Sequence, residues 1–210
     1  MNDLSKKNFD EVAQTWDSNR DRVVLAEKIV GEILRKVPVT KDMVVLDYGA
    51  GTGLVSLGLA EHLKAILAAD SSADMLTRLD EKAAASKIHN VRTLHLDLEH
   101  DTLPDERFDL VLCTMTLHHI DDAAGMIAKL ASLLRTGGWL ALADLDLDGG
   151  EFHSDNTGVR YHGFDRAFMN QAFAEAGLAD ISITTAHKIL KDVISKQPRE
   201  FPIFLAVGHR

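Results

Sequence analysis

The sequence predicts an α/β protein: a doubly wound, three-layer sheet with helices on both faces and a helical extension at its start. Three observations carry this. From Met43 to Leu145, strand-length apolar runs alternate with helical periodicities. The segment Val44-Val45-Leu46-Asp47-Tyr48-Gly49-Ala50-Gly51-Thr52-Gly53 joins the first of those runs to a helix through alternate glycines. After Gly163 comes a helix and then two alternating strands, Ile181/Ile183/Thr185 and Phe201/Ile203/Leu205/Val207, which read as an antiparallel hairpin on the sheet edge.

Each element has its own signature. Phe9, Val12, Ala13 and Trp16 mark a short helical stripe, read as packing in preference to a lid over a ligand. Val23, Ala26, Val30, Ile33 and Val37 mark a longer one, stopped by Pro38. Met43–Leu46 reads as a buried strand, Leu54–Leu63 as a helix and Ala65–Ala69 as a strand. Met75, Leu76, Leu79 and Ala83 form the next helix, opened by Ser71 with Asp74 at capping-box spacing. Val91–Leu96 is a strand. Phe108–Thr114 is apolar without alternation, so both of its faces should be buried. Met126, Leu130, Leu133 and Leu134 give a helix ended by Gly137–Gly138, followed by a strand over Trp139–Leu145. Leu145 to Gly163 is a polar loop rich in His, Asp and Asn, of a length that usually carries function. Asp165 opens a helix with Phe168, Ala172, Phe173 and Ala176 on one face, closed by Gly177, and a polar link from Lys188 to Pro202 separates the last two strands.

With 210 residues, 46% of them apolar, the chain can bury one real core. No apolar run approaches transmembrane length, and the N-terminal residues lack the apolar stretch of a signal peptide. A single cysteine, Cys113, excludes an internal disulfide framework and suits a reducing cytoplasm. The formal net charge of −9 disfavours a nucleic-acid substrate.

The glycine loop lets backbone approach a ligand closely, and the helix start behind it suits a carboxylate or phosphate. Alone it is also what a tight strand–helix turn needs. A dinucleotide fingerprint requires Gly or Ala at its sixth position, where this chain has Leu54. Asp47 before the loop would repel a pyrophosphate. Both points favour a ligand with an ammonium as well as a carboxylate. Asp70 ends the second strand, where a carboxylate can accept from ribose hydroxyls; Asp97 ends the third, where it can accept from an adenine amine. S-adenosylmethionine combines these three parts.

At VLDYGAGTG, AADSSADML, HLDLEHD, FDLVLCTMTLHHI and LLRTGGWLALADL, in that order, the chain resembles the class I, seven-strand methyltransferases. The resemblance runs from about Phe9 to the end. It implies a strand order of 3-2-1-4-5-7-6 with strand seven antiparallel, and one domain: residues 1–38 a helical cap, 39–145 a cofactor-binding core, 146–210 a substrate loop, helix and hairpin. It implies that Asp47, Gly49, Gly51 and Gly53 hold the methionine part and Asp70 the ribose. Ser71 and Met75 would lie near the adenine face, Asp97 at its amine with the Leu98 backbone beside it, and the Cys113 carbonyl at the ammonium. Tyr48 and Ala50 depart from the residues commoner there, and neither change should abolish binding. Cys113 itself is read as a small buried strand residue, not a nucleophile.

Methyl transfer from a sulfonium needs mainly alignment, and a base only where the acceptor must lose a proton. The chain lacks the Asn/Asp-Pro-Pro-aromatic signature of many DNA-base and glutamine methyltransferases. The candidate bases are histidines: His118 and His119 after the fourth strand, His153 and His162 in or beside the long loop, with His119 and His162 preferred. No metal site is expected, since no ligand spacing is recognisable, and Asp144, Asp146 and Asp148 are read as a solvated strand end. The leading expectation is methylation of a small-molecule O, N or C nucleophile. A protein methyltransferase comes second, a nonenzymatic S-adenosylmethionine-binding or scaffold protein is the reading from another class, and an NAD-type oxidoreductase trails. The loop from Leu145 to Gly163 is expected to wall the acceptor site with Phe152, Tyr161 and His162.

Overall fold

The computed structural model describes residues 8–192 and 198–210. Five strands, β1 (Val44–Tyr48), β2 (Ala65–Asp70), β3 (Val91–His95), β4 (Phe108–Thr114) and β5 (Leu134–Leu145), pair in parallel. Two more, β6 (Ala179–Asp192) and β7 (Pro198–His209), complete one sheet in the order β3-β2-β1-β4-β5-β7-β6, with β7 antiparallel to both neighbours. This is the expected order.

Among the described residues, five α-helices accompany the sheet: α1 (Arg20–Lys36), α2 (Leu54–Leu59), α3 (Ala73–Ala85), α4 (Ala123–Ser132) and α5 (Arg166–Glu175). The central strands explain why both faces must be covered. Val45, Leu110, Leu112 and Ala141 pack in the cluster that holds Leu25, Ile29 and Ile33 of α1 and Leu59 of α2. Leu46, Tyr48, Val111 and Leu140 join Met126 and Leu130 of α4 and Phe173 of α5 on the other face. Phe108, Phe173, Phe201 and Phe204 are fully buried, and truncating any one to alanine costs about 3–5 kcal/mol.

Some elements differ from expectation for local reasons. The Phe9–Trp16 stripe is a 3-10 helix over Asp10–Ser18. The buried face of α1 runs through Leu25, Ala26, Ile29 and Ile33, so the helix is turned from the Val23–Val30 stripe toward its larger side chains. The Leu54–Leu63 helix tightens into a 3-10 turn at Ala60–His62. Ser72, not Ser71, caps α3, its hydroxyl accepting from the Met75 N–H. Helix α4 stops at Ser132, and Leu133 and Leu134 leave it to fill the core. Gly137–Gly138 therefore lies inside β5, which begins where Leu134 pairs with Phe108 ahead of a bulge. The link read from Lys188 to Pro202 is largely paired strand, Lys188 opposite Pro202 and Ile189 opposite Phe201. Its middle, residues 193–197, lies outside the described residues, as do residues 1–7. No helix among the described residues is long and apolar enough to cross a membrane.

Candidate active site

Strand order reverses around β1, and the crevice at the strand C-termini there is where open α/β sheets bind ligands. A cavity of about 300 Å³ occupies it. Gly49, Gly51, Asp70, Ser71, Met75 and Asp97 from the strand ends line it, as do Trp16 and Arg22 from the N-terminal segment and His118, His119, Phe152 and His153 from the turns after β4 and β5.

The glycine loop is shaped by two contacts. Gly49 has φ +73°, and a Cβ there would stand 2.2 Å from Thr116 Oγ1, so the turn after β4 closes directly on it. Gly51 has φ +54° with nothing within 4 Å of where its Cβ would be, which leaves its face open. The Gly51 N–H donates to Asp70 Oδ2 at 2.7 Å, and the Ser72 N–H donates to Asp70 Oδ1 at 2.9 Å. Burial raises the Asp70 pKa and these backbone donors work against it. Asp70 thus ties the glycine loop to the start of α3 from inside the cavity.

Asp47 lies fully buried under the loop. One oxygen, Oδ2, accepts from Ser56 Oγ at 2.6 Å; the other, Oδ1, has no hydrogen-bond partner among the described residues. Burial pushes its pKa up to about 6, the Ser56 bond opposes this and the nearby Asp70 charge adds to it. Asp97 lines the cavity while its oxygens hold the turn after β3, accepting from the Glu99 N–H at 3.0 Å and meeting His100 Nδ1 at 3.0 Å. The Leu98 N–H, expected beside the adenine, is engaged by Tyr48 Oη at 3.2 Å. Tyr48, the residue that departs from the commoner small one, therefore buttresses this turn from below. Of the residues expected to hold the methyl donor, Asp47 beneath the loop, Gly53 at the start of α2, Leu98 and Cys113 inside β4 do not line the cavity. Burial raises the Cys113 thiol pKa well above its usual value, which keeps it protonated and inert.

Elsewhere along the cavity the chain leaves β4 through Met115, whose φ of +52° is a left-handed conformation costing about 1 kcal/mol or more in a non-glycine residue. That turn swings a 3-10 helix, Leu117–His119, over the end of β5. His118 is 1% exposed and its Nδ1 lies 2.7 Å from Asp144 Oδ1, while the His118 N–H donates to Asp144 Oδ2 at 3.2 Å. Asp144 is fully buried and also accepts from the Leu145 N–H. It is not part of a solvated strand end. Nor are its neighbours: Asp146 pairs with Arg166 and Asp148 is buried.

His119 stands beside His118, ring centroids 4.2 Å apart, with its Nδ1 2.8 Å from the Gly158 carbonyl. A carbonyl can only accept, so Nδ1 carries the proton and Nε2 is the basic nitrogen. The His153 ring lies tilted against His118, centroids 5.0 Å apart. Phe9 packs edge-on against His119 at 5.2 Å, and Phe9 and Trp16 both line the cavity, so this first segment covers it as well as packing. Asp17 holds the segment down, accepting from Lys82 Nζ at 2.5 Å and Thr52 Oγ1 at 2.6 Å.

The long loop contributes Phe152, His153 and Gly158 to the cavity lining. Tyr161 instead donates to the Asp121 carbonyl, and His162 is exposed, its ring against Gly150, and does not line the cavity. In the sequence Asp144 stands at the end of β5 and His118 just beyond β4. Those strands are neighbours, so the pairing of these two side chains was available from strand adjacency. Arg22, in the first turn of α1, gave no sequence signal.

A methyltransferase domain family matches residues 45–138. An uncharacterised methyltransferase of Schizosaccharomyces pombe is 34% identical over 156 residues, covering 67% of this chain and 55% of the relative. A ubiquinone biosynthesis O-methyltransferase of Hydrogenovibrio crunogenus is 27% identical over 144 residues, covering 66% of this chain and 59% of the relative. The chain thus spans little more than half the length of these curated relatives. A Haloferax volcanii methyltransferase, solved in complex with a methyltransferase activator protein, shares the fold with a TM-score of 0.75 at 18% identity, over 97% of this chain and 98% of that one. The chain belongs to the class I, S-adenosylmethionine-dependent methyltransferases. At the crevice the chain presents an open glycine loop over a buried acid, one of whose oxygens has no hydrogen-bond partner among the described residues, and the Asp70 and Asp97 carboxylates line one cavity.

Proposed function

We propose that this chain methylates a small-molecule acceptor at an atom that gives up a proton, with His118 as the base that takes it. S-adenosylmethionine, when bound, supplies a methyl group on a sulfonium that is already activated for displacement. Asp47 and the glycine loop would hold its amino-acid end, Asp70 its ribose, and Asp97 with Met75 its adenine.

The observation that carries the acceptor reading is the buried His118–Asp144 pair, of which His118 lines the cavity and Asp144 lies behind it. Asp144 accepts the Nδ1 proton, which fixes the tautomer, leaves Nε2 basic and stabilises the imidazolium once Nε2 has taken a proton. His119, its Nδ1 held by the Gly158 carbonyl, stands next to it and can orient the same acceptor. Phe9, Trp16 and Phe152 supply apolar walls and exclude water. The 3-10 helix over the cavity favours a small molecule over a protein segment. The ubiquinone-biosynthesis relative, an O-methyltransferase by name, supports an oxygen acceptor.

The test is release of S-adenosylhomocysteine against a panel of small hydroxylated, amino and activated-carbon acceptors. Turnover with hydroxyl acceptors that rises with pH and is lost in His118→Ala supports the reading. Turnover of peptide substrates alone, or no turnover with tight S-adenosylhomocysteine binding, would replace it with a protein methyltransferase or a nonenzymatic binder.

A further inference from the structure

We propose that Arg22 binds the carboxylate of the methyl donor's amino-acid moiety, which makes the N-terminal segment part of the cofactor site; this rests on reading the cavity as an S-adenosylmethionine site. The guanidinium of Arg22 lines the cavity and is half-buried. Its Cζ lies 3.6 Å from the centroid of the Trp16 ring, and Nη1 donates to the Trp16 carbonyl at 3.2 Å. Stacking and one bond orient the fork and leave most of its N–H donors for a ligand.

No carboxylate among the described residues lies within ion-pair distance of Arg22. Asp17, the acid whose charge acts on it, is committed to Lys82 and Thr52. A cation taken partly out of water without a paired anion is costly, and burial accordingly lowers the Arg22 pKa. An incoming oxyanion would relieve that cost.

The position of Arg22 selects the oxyanion. The Asp17–Thr52 bond fastens its segment to the glycine loop, and Leu25 and Ala26 line the same cavity as Leu54 and Val55 at the start of α2. That is the amino-acid end. The sequence suggested that a helix N-terminus would take the carboxylate there, but α2 is 6 residues long and offers little macrodipole. Arg22 supplies the missing positive charge. A zwitterion is then read by Asp47 beneath the loop for its ammonium and by Arg22 across the cavity for its carboxylate.

The test is calorimetric titration of the parent, Arg22→Gln and Arg22→Lys with two probes. One is S-adenosylhomocysteine. The other is 5′-deoxy-5′-methylthioadenosine, which keeps the adenosine and lacks the carboxylate. Arg22→Gln should weaken S-adenosylhomocysteine by about ten- to a hundredfold and leave the truncated nucleoside within about twofold. Arg22→Lys should recover part of the loss, since it keeps charge without the fork. Unchanged S-adenosylhomocysteine affinity in Arg22→Gln overturns the proposal while the cofactor reading stands. Equal weakening of both probes also overturns it, because Arg22 would then act only by holding Trp16. Binding of neither probe to the parent would sink the cofactor reading and the proposal together.

Discussion

On the side of the cavity proposed for the cofactor, polar groups at the ends of β1, β2 and β3 are held through backbone bonds: Gly51 and Ser72 to Asp70, Glu99 to Asp97. On the acceptor side, the groups come from the segment before β1, the turn after β4, the loop after β5 and the end of β6. They meet through side chains, as His118 does with Asp144, 26 residues away, and Lys191 does with the Phe152 carbonyl, 39 residues away. The first half is a property of consecutive strand ends. The second exists only when the whole sheet is assembled, so substitutions at His118, His119 and Asp144 should separate chemistry from cofactor affinity, whereas Arg22, in the segment before β1, is proposed to serve the cofactor.

The largest expected effect is at the His118–Asp144 pair. With an acceptor in hand, His118→Ala should lower single-turnover methyl transfer by about 10²–10⁴-fold, the usual worth of a positioned base. S-adenosylhomocysteine affinity should change little. Asp144→Asn should cost activity in the same direction, because the amide no longer fixes the Nδ1–H tautomer, and should also lower the melting temperature, because Asp144 is fully buried. A parent-like rate in His118→Ala would move the base to His119 or remove the need for one.

The matching substitution on the other side is Asp70→Ala. Each charge-assisted bond it would make to a ribose hydroxyl is worth about 1.5–3 kcal/mol, so S-adenosylhomocysteine affinity should fall by at least tenfold. Asp70 also accepts from Gly51 and Ser72, so the alanine variant loosens the glycine loop. Asp70→Asn keeps an acceptor for one of those donors and should retain more of the fold. A ligand-induced thermal shift equal to that of the parent would reduce Asp70 to a loop tie.

Asp47 sharpens the comparison through pH. Its folded-state pKa of about 6 is above the ordinary 3.8, so the folded chain holds this proton more tightly than the unfolded one. The stability this contributes is present at low pH and is lost as pH rises through about 6. A bound ammonium favours the ionised carboxylate, so ligand binding should release the proton. S-adenosylhomocysteine affinity should climb from pH 5 and level off above 6, by up to about tenfold per unit. In Asp47→Asn the profile should be flat over that range. Proton release, read by calorimetry in buffers of different ionisation enthalpy, should vanish with it.

What the sequence disclosed follows the same division. The sheet order came from the resemblance, which rests on motifs at strand ends, and the alternating glycines placed the cavity. The turn of α1 was missed because Val23 and Val30 fit a helical stripe as well as Leu25 and Ile29 do, and only packing against β6 and the sheet decides between them. Asp144 looked solvated because it alternates with Asp146 and Asp148. Each is consumed by a different distant partner or by burial, which alternation cannot reveal. Arg22 was silent because a single arginine in a helix's first turn usually faces water.

The smallest expected effect belongs to His162. Its residue type and its place in the long loop made it as plausible a base as His119. The structure separates the two. His119 lines the cavity with Nδ1 held by the Gly158 carbonyl, whereas His162 is exposed, lies with its ring against Gly150 and accepts from the Asp148 N–H through its backbone carbonyl. That last bond is independent of the side chain, so His162→Ala should preserve the loop. We expect His162→Ala to turn over within about twofold of the parent, in the range of surface substitutions, while His119→Ala loses roughly tenfold or more through its contact with the acceptor. Equal losses in both variants would mean that the loop closes further over a bound acceptor and carries His162 inward. Hydrogen exchange across residues 146–163, with and without acceptor, would then register that closure directly.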